Sequence, residues 1–177
     1  MSKTKKLILS ALFLSIGVVL PLATGQIKEI GDSLLPMHLP VMLCGLVCGY
    51  GYGGAVGFIL PFLRALTFGM PPAYPNAVWM AMELCTYGFV IGFLYGKAVK
   101  KNMPCLLLSL SVSMIAGRIV WGVSKAVLLG IGGSSLTVHA FVMGGFIDAF
   151  PGIVLQFILI PTVMSIAQRL RKDGLII

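Results

Sequence analysis

Residues 104–129 read PCLLLSLSVSMIAGRIVWGVSKAVLL, an apolar run carrying two charges, Arg118 and Lys125. A helix of that length extends about 39 Å, more than the roughly 30 Å of a bilayer's hydrocarbon core. The run therefore reads as a membrane-spanning helix. The rest of the chain has the same character. Of its 177 residues, 58% are apolar and only 10% charged, and its mean hydropathy is +1.03. Soluble domains carry about 25% charged residues, so a soluble enzyme is excluded. Six spans of about 20 residues use roughly 120 positions, which leaves no room for a large extramembrane domain.

The basic residues mark one side of the membrane. Lys3, Lys5 and Lys6 open the chain, Lys97, Lys100 and Lys101 stand in its middle, and Arg169, Arg171 and Lys172 lie near its end. Basic clusters flanking spans stay cytoplasmic, so an even number of spans separates each pair. The net charge of +8 reports orientation and not a nucleic-acid surface. Breakers at Pro36, across the glycine-rich run Gly49 to Gly54, at residues 69–75 and at residues 130–135 divide the chain accordingly. Spans are expected at about 7–24, 36–50, 54–69, 76–96, 104–129 and 138–167, four before the middle cluster and two after it. The expectation is an all-α polytopic membrane protein: one domain over residues 1–177, six transmembrane helices in one compact bundle, N and C termini cytoplasmic. The first helix is read as uncleaved, although Ala23-Thr-Gly25 resembles a processing site. Cys44, Cys48, Cys85 and Cys105 all lie in or beside apolar segments and read as small buried hydrophobes, not as metal ligands.

Charges inside spans are costly and face a bundle interior or a wet cavity. Five are expected there: Arg64, Glu83, Arg118, Lys125 and Asp148. His38 and His139 open the second and sixth spans. Most of these positions fall in the outer halves of their helices. In the fourth span Asn76, Trp79, Glu83 and Tyr87 share one face, while Gly88, Gly92 and Gly96 form a small-residue stripe on another. In the fifth, Ser111, Met114, Arg118, Trp121 and Lys125 share a face. Asp148 sits among Gly144, Gly145, Pro151 and Gly152. Two readings stay open. Arg64–Glu83 and Arg118–Asp148 are structural ion pairs, or the group forms an outward-facing pocket whose excess positive charge, with Lys125 as the spare cation, neutralises an anionic solute. Residues 25–36 and the proline-rich stretch 70–75, which holds Tyr74, read as a cover and a wall of that pocket, or as simple turns.

No phosphate-binding G-x-x-x-x-G-K-[ST] loop, H-E-x-x-H or G-x-S-x-G motif is present, so the expectation is a binding protein rather than an enzyme, with no cofactor. Ala11-Leu-Phe-Leu-Ser15, His38-Leu-Pro-Val-Met-Leu-Cys-Gly45 followed by Gly49, Gly53 and Gly57, and Met70-Pro-Pro-Ala-Tyr-Pro75 occur in this order. In these motifs the chain resembles the substrate-binding S components of energy-coupling factor (ECF) transporters, a vitamin-uptake family of ABC-type importers. The resemblance implies a multi-pass protein of a bacterial plasma membrane. It implies capture of a vitamin or similar micronutrient outside the cell, and delivery inward with a membrane coupling protein and two cytoplasmic ATPases. It also implies that Ala11 and Ser15 contact the coupling protein, with serine at Ser15 where alanine is usual.

The expected binding residues are His38, Arg64, Tyr74, Asn76, Trp79, Glu83, Tyr87, Arg118, Trp121, Lys125 and Asp148. The positive excess favours an anionic vitamin, pantothenate first, while Trp79, Tyr87 and Trp121 suit ring-bearing ligands of pyridoxine, flavin or cobalamin-precursor type. The competing classes are a self-sufficient proton-coupled transporter using Glu83 or Asp148, a non-transporting membrane scaffold and, last, a membrane enzyme.

Overall fold

A computed structural model describes residues 1–24, 34–99, 101–131, 137, 141 and 143–172. Residues 25–33 of the expected cover, residues 132–135 of the expected breaker, Lys100 and His139 lie outside these residues. The described chain is helical: α1 Lys3–Val19, α2 His38–Cys48, α3 Tyr50–Phe68, α4 Asn76–Lys97, α5 Met103–Ile131 and α6 Phe150–Lys172. A 3-10 turn, Leu20–Thr24, follows α1, and a π-helical turn, Met143–Ile147, precedes α6.

Ser2 caps α1 by accepting from the Lys5 backbone N–H at 3.3 Å. Five segments are long and apolar enough to cross a membrane, whereas α2 has only 11 residues. At about 16 Å it reaches roughly half-way through the hydrocarbon. The second of the six expected spans, 36–50, is therefore corrected to a half-length helix. Gly49, with φ +102°, ends it in a backbone region that side chains disfavour. Most of α2 is buried, because α1, α3 and α4 enclose it.

The glycine run 49–54 was expected to separate spans, yet only Gly49 breaks the helix; Gly51, Gly53 and Gly54 belong to α3. Their role is close packing. A Cβ on Gly53 would meet the Gly45 backbone, one on Gly88 would collide with Gly53, and one on Gly57 with the Leu84 backbone. Small residues thus bring α2, α3 and α4 together backbone to backbone. Gly92 extends this stripe against Gly45 and Tyr50, whereas Gly96 has nothing within 4 Å and drops out of it.

The contacts fix the helix directions. Gly17 of α1 lies against Leu60 and Pro40, Gly53 against Gly88, and Glu83 binds Arg118. Gln168 donates to the Tyr95 hydroxyl at 3.0 Å. Successive helices consequently alternate in direction, so Lys3 to Lys6, Lys97, Lys101 and Arg169 share one end. This is the end that the positive-inside rule assigns to the cytoplasm; the opposite end is called outer below.

Two apolar clusters fill the bundle. One joins Met42, Tyr87, Ile91, Leu110, Met114 and Ile160. The other joins Met37, Val41, Cys44, Leu60 and Leu84. Val112, Ile115, Ile119, Val123 and Val127 form an exposed stripe along α5, as expected of a surface whose solvent is lipid. Against α4 and its neighbours, α6 is loosely docked.

Candidate functional site

The centre of the polar cluster is Glu83, seven residues or about 10 Å from the outer end of α4. Three groups converge on its Oε1: Arg118 Nη1 at 3.0 Å, His38 Nε2 at 3.4 Å and the donating Tyr87 hydroxyl at 3.1 Å. The His38 ring also meets Tyr87 edge-on, with centroids 5.1 Å apart. His38, Glu83, Tyr87 and Arg118 are all buried.

Local sequence explains this convergence. Glu83 and Tyr87 are one helical turn apart on α4, so both face the same way. Gly117 leaves room for the Tyr87 ring, because a Cβ there would stand 2.5 Å from its Cε1. His38 opens the half-length α2, which places an imidazole at the depth of Glu83 and well below the outer end of α4. A full-length α2 would put it elsewhere.

Toward the outer end, aromatic rings follow. Lys125 Nζ lies 4.5 Å from the Trp121 ring centroid and 5.5 Å from that of Trp79, a cation held between two indoles. Trp121 also approaches Phe141 at 5.9 Å. Asn76 and Trp79 are half-buried on the outer turns of α4.

The expected ion pairs are corrected. Glu83 pairs with Arg118 and not with Arg64. Arg64 is buried four residues from the outer end of α3, its guanidinium 5.7 Å from the Phe68 ring, and its Nε has no hydrogen-bond partner among the described residues. Asp148 does not reach Arg118. It is exposed in the turn before α6, where its backbone N–H donates to Met143 O at 2.9 Å. Pro151 sits in the first turn of α6, where the missing N–H costs nothing, and does not open the helix. Tyr74 is 63% exposed and stands apart from the cluster. The cluster thus gathers His38, Glu83, Tyr87, Arg118, Trp121, Lys125 and Trp79; Asn76 and Arg64 lie nearer the outer ends of their helices, and Tyr74 and Asp148 lie outside it.

One polar residue was missed. Gln156 on α6 is 1% exposed, and neither its Nε2 nor its Oε1 has a hydrogen-bond partner among the described residues. Its signal in the sequence is a lone amide in an apolar run, four residues before Ile160 and eight before Met164, both core residues. Arg118 Nε and Nη2 and His38 Nδ1 are likewise buried without hydrogen-bond partners among the described residues. A buried polar group left unpaired costs about 1–3 kcal/mol. Two surface recesses lie elsewhere. One runs between α5 and α6 at the cytoplasmic end, bounded by Met103, Ser165 and Arg169, and the other lies on α1 beside Ser15 and Val19. No group of His, Cys, Asp and Glu able to hold a metal ion occurs among the described residues.

Ala11 and Ser15 are exposed on α1, amid Leu7, Ile8, Leu12, Ile16 and Val19. Only Ser10 and Gly17 of that helix are buried. The side of α1 that carries Leu9, Ser10, Phe13, Leu14, Gly17 and Val18 packs on the bundle, and the opposite side is open.

Comparison with known proteins agrees with this architecture. No curated protein and no solved structure matches the chain. The family described as "ECF transporter, substrate-specific component" matches residues 5–164, about nine-tenths of the chain. A match over that share of an all-helical chain with long apolar helices settles the family: the chain belongs to the substrate-specific components of ECF transporters.

Proposed function

We propose that this protein captures a small anionic nutrient from outside the cell and holds it at the cluster around Glu83 and Arg118. Pantothenate is the first candidate. The observation that carries this reading is the set of buried polar atoms on Arg118 and His38 that have no hydrogen-bond partner among the described residues, together with family membership. In this arrangement Glu83 fixes Arg118, His38 and Tyr87 in place. Trp79 and Trp121 supply apolar walls, and Asn76 and Arg64 lie nearer the mouth. Lys125, braced between indoles, raises the local positive potential that draws an anion inward.

Delivery inward relies on a membrane coupling protein and two cytoplasmic ATPases, which dock through the open face of α1 around Ala11 and Ser15. The exposure of both residues supports this reading. Uptake of labelled pantothenate into proteoliposomes tests it. Transport is expected only when coupling protein and ATPases accompany the chain. Transport by the chain alone under a proton gradient would favour the self-sufficient carrier instead. Lys125→Met is expected to weaken pantothenate binding while leaving its uncharged alcohol, panthenol, unaffected. Equal affinity for acid and alcohol in the unaltered protein would remove the anionic reading.

A further inference from the structure

Arg118 uses one corner of its guanidinium on Glu83. Nη1 makes the ion pair, while Nε and Nη2 have no hydrogen-bond partner among the described residues. Those two atoms form the side edge of the guanidinium, whose parallel N–H groups match the two oxygens of a carboxylate. The edge is buried, so bulk water does not satisfy it.

Gln156 belongs to the same level of the bundle. The Gln168–Tyr95 hydrogen bond sets the register between α6 and α4, which run in the same direction. Twelve residues outward from that bond, about 18 Å along each helix, stand Gln156 and Glu83. A second register agrees. Ile160, Tyr87 and Met114 share one core cluster, and each lies one helical turn inward of Gln156, Glu83 and Arg118 respectively. Gln156 thus offers a donor and an acceptor, both unused and both buried, at the level of the unused Arg118 edge.

We propose that Arg118 and Gln156 form the specificity-determining pair of the binding site: the Arg118 side edge clasps a ligand carboxylate, and the Gln156 amide reads a hydroxyl or amide placed beyond it. This deepens the reading above and rests on it. It moves the carboxylate from Lys125, where the sequence put the spare cation, to Arg118, and it adds a residue on α6. The ligand class is a small carboxylic acid bearing a second polar group. A simple fatty acid would leave Gln156 unsatisfied, and a neutral amide would leave the Arg118 edge half-filled.

The test uses the full chain purified in detergent, with thermal unfolding and equilibrium binding read against three matched pairs: pantothenate and panthenol, biotin and biotinamide, nicotinate and nicotinamide. The expected result is that at least one acid binds, about a hundredfold tighter than its neutral partner. Arg118→Lys keeps the charge but loses the fork, and is expected to weaken that acid by about tenfold or more. Gln156→Leu gives a readout that a structural role would not. The ligand-free protein is expected to melt about 2–4 °C higher, because an unpartnered amide has been replaced by an apolar group, while acid binding weakens by about tenfold. Equal binding of an acid and its neutral partner, or wild-type binding by Gln156→Leu, overturns the pair while leaving the transporter reading intact. Failure of all three acids also overturns it. If the neutral compounds fail too, and nothing is taken up with the coupling protein and ATPases, the transporter reading falls with it.

Discussion

Glu83 is the residue on which the site's order depends. One carboxylate oxygen receives an arginine, an imidazole and a phenol, so removing its charge strands Arg118 in a buried setting. Breaking a buried pair from one side costs about 3–5 kcal/mol. Glu83→Gln is therefore expected to lower the thermal midpoint by roughly 6–20 °C for a chain of this size, measured on the purified protein. The sequence made the members of this cluster visible through helical spacing: Glu83 and Tyr87 on one stripe, Arg118, Trp121 and Lys125 on another. It did not reveal who pairs with whom. Partner choice across helices depends on interhelical register, which spacing within one helix does not encode. Asp148 was misplaced because the chain leaves the helix there. Gln156 was missed because an uncharged amide does not stand out in a search for buried charge.

Between elements, glycine sets the geometry. Gly88 touches the Gly53 backbone, while Gly96, two turns further along α4, touches nothing. Gly88→Ala is expected to push α3 and α4 apart at a cost of about 1–3 kcal/mol, and Gly96→Ala to be neutral or to stabilise by up to about 1 kcal/mol through helix propensity. Parallel thermal denaturation of the two variants measures the difference. Comparable losses at both positions would contradict the packing described. Four-residue glycine steps were readable as a contact face, and the run at residues 49–54 was equally conspicuous. Whether such a run breaks a helix or lines a helix contact is decided by its neighbours in space, and here only Gly49, with its positive φ, breaks the chain. From its composition α2 read as a short crossing, not as a helix that stops half-way. A helix enclosed by protein needs no lipid-matched length, so its apolar composition resembles that of a span.

At the scale of the whole molecule, the two ends of the bundle and the flank of α1 divide the labour. The basic residues gather at one end, the cluster around Glu83 lies toward the other, and α1 exposes most of its surface. Ala11→Trp is expected to leave stability within about 0.5 kcal/mol, because the position is exposed, and to leave ligand binding unchanged. It is expected to reduce uptake with the coupling protein by roughly tenfold or more, the loss produced by about 1.4 kcal/mol of contact energy. Equal uptake by Ala11→Trp and the unaltered chain would move the docking surface away from α1.

The central claim is that the cluster around Glu83 and Arg118 is a receptor rather than a brace. Mass spectrometry of small molecules released from the freshly purified full chain tests it most directly. A single carboxylate-bearing compound, released in near-equimolar amount from the unaltered protein and depleted from Arg118→Lys, is the predicted result. A preparation of active, folded protein that yields no such compound, or the same amount from both, would contradict the account.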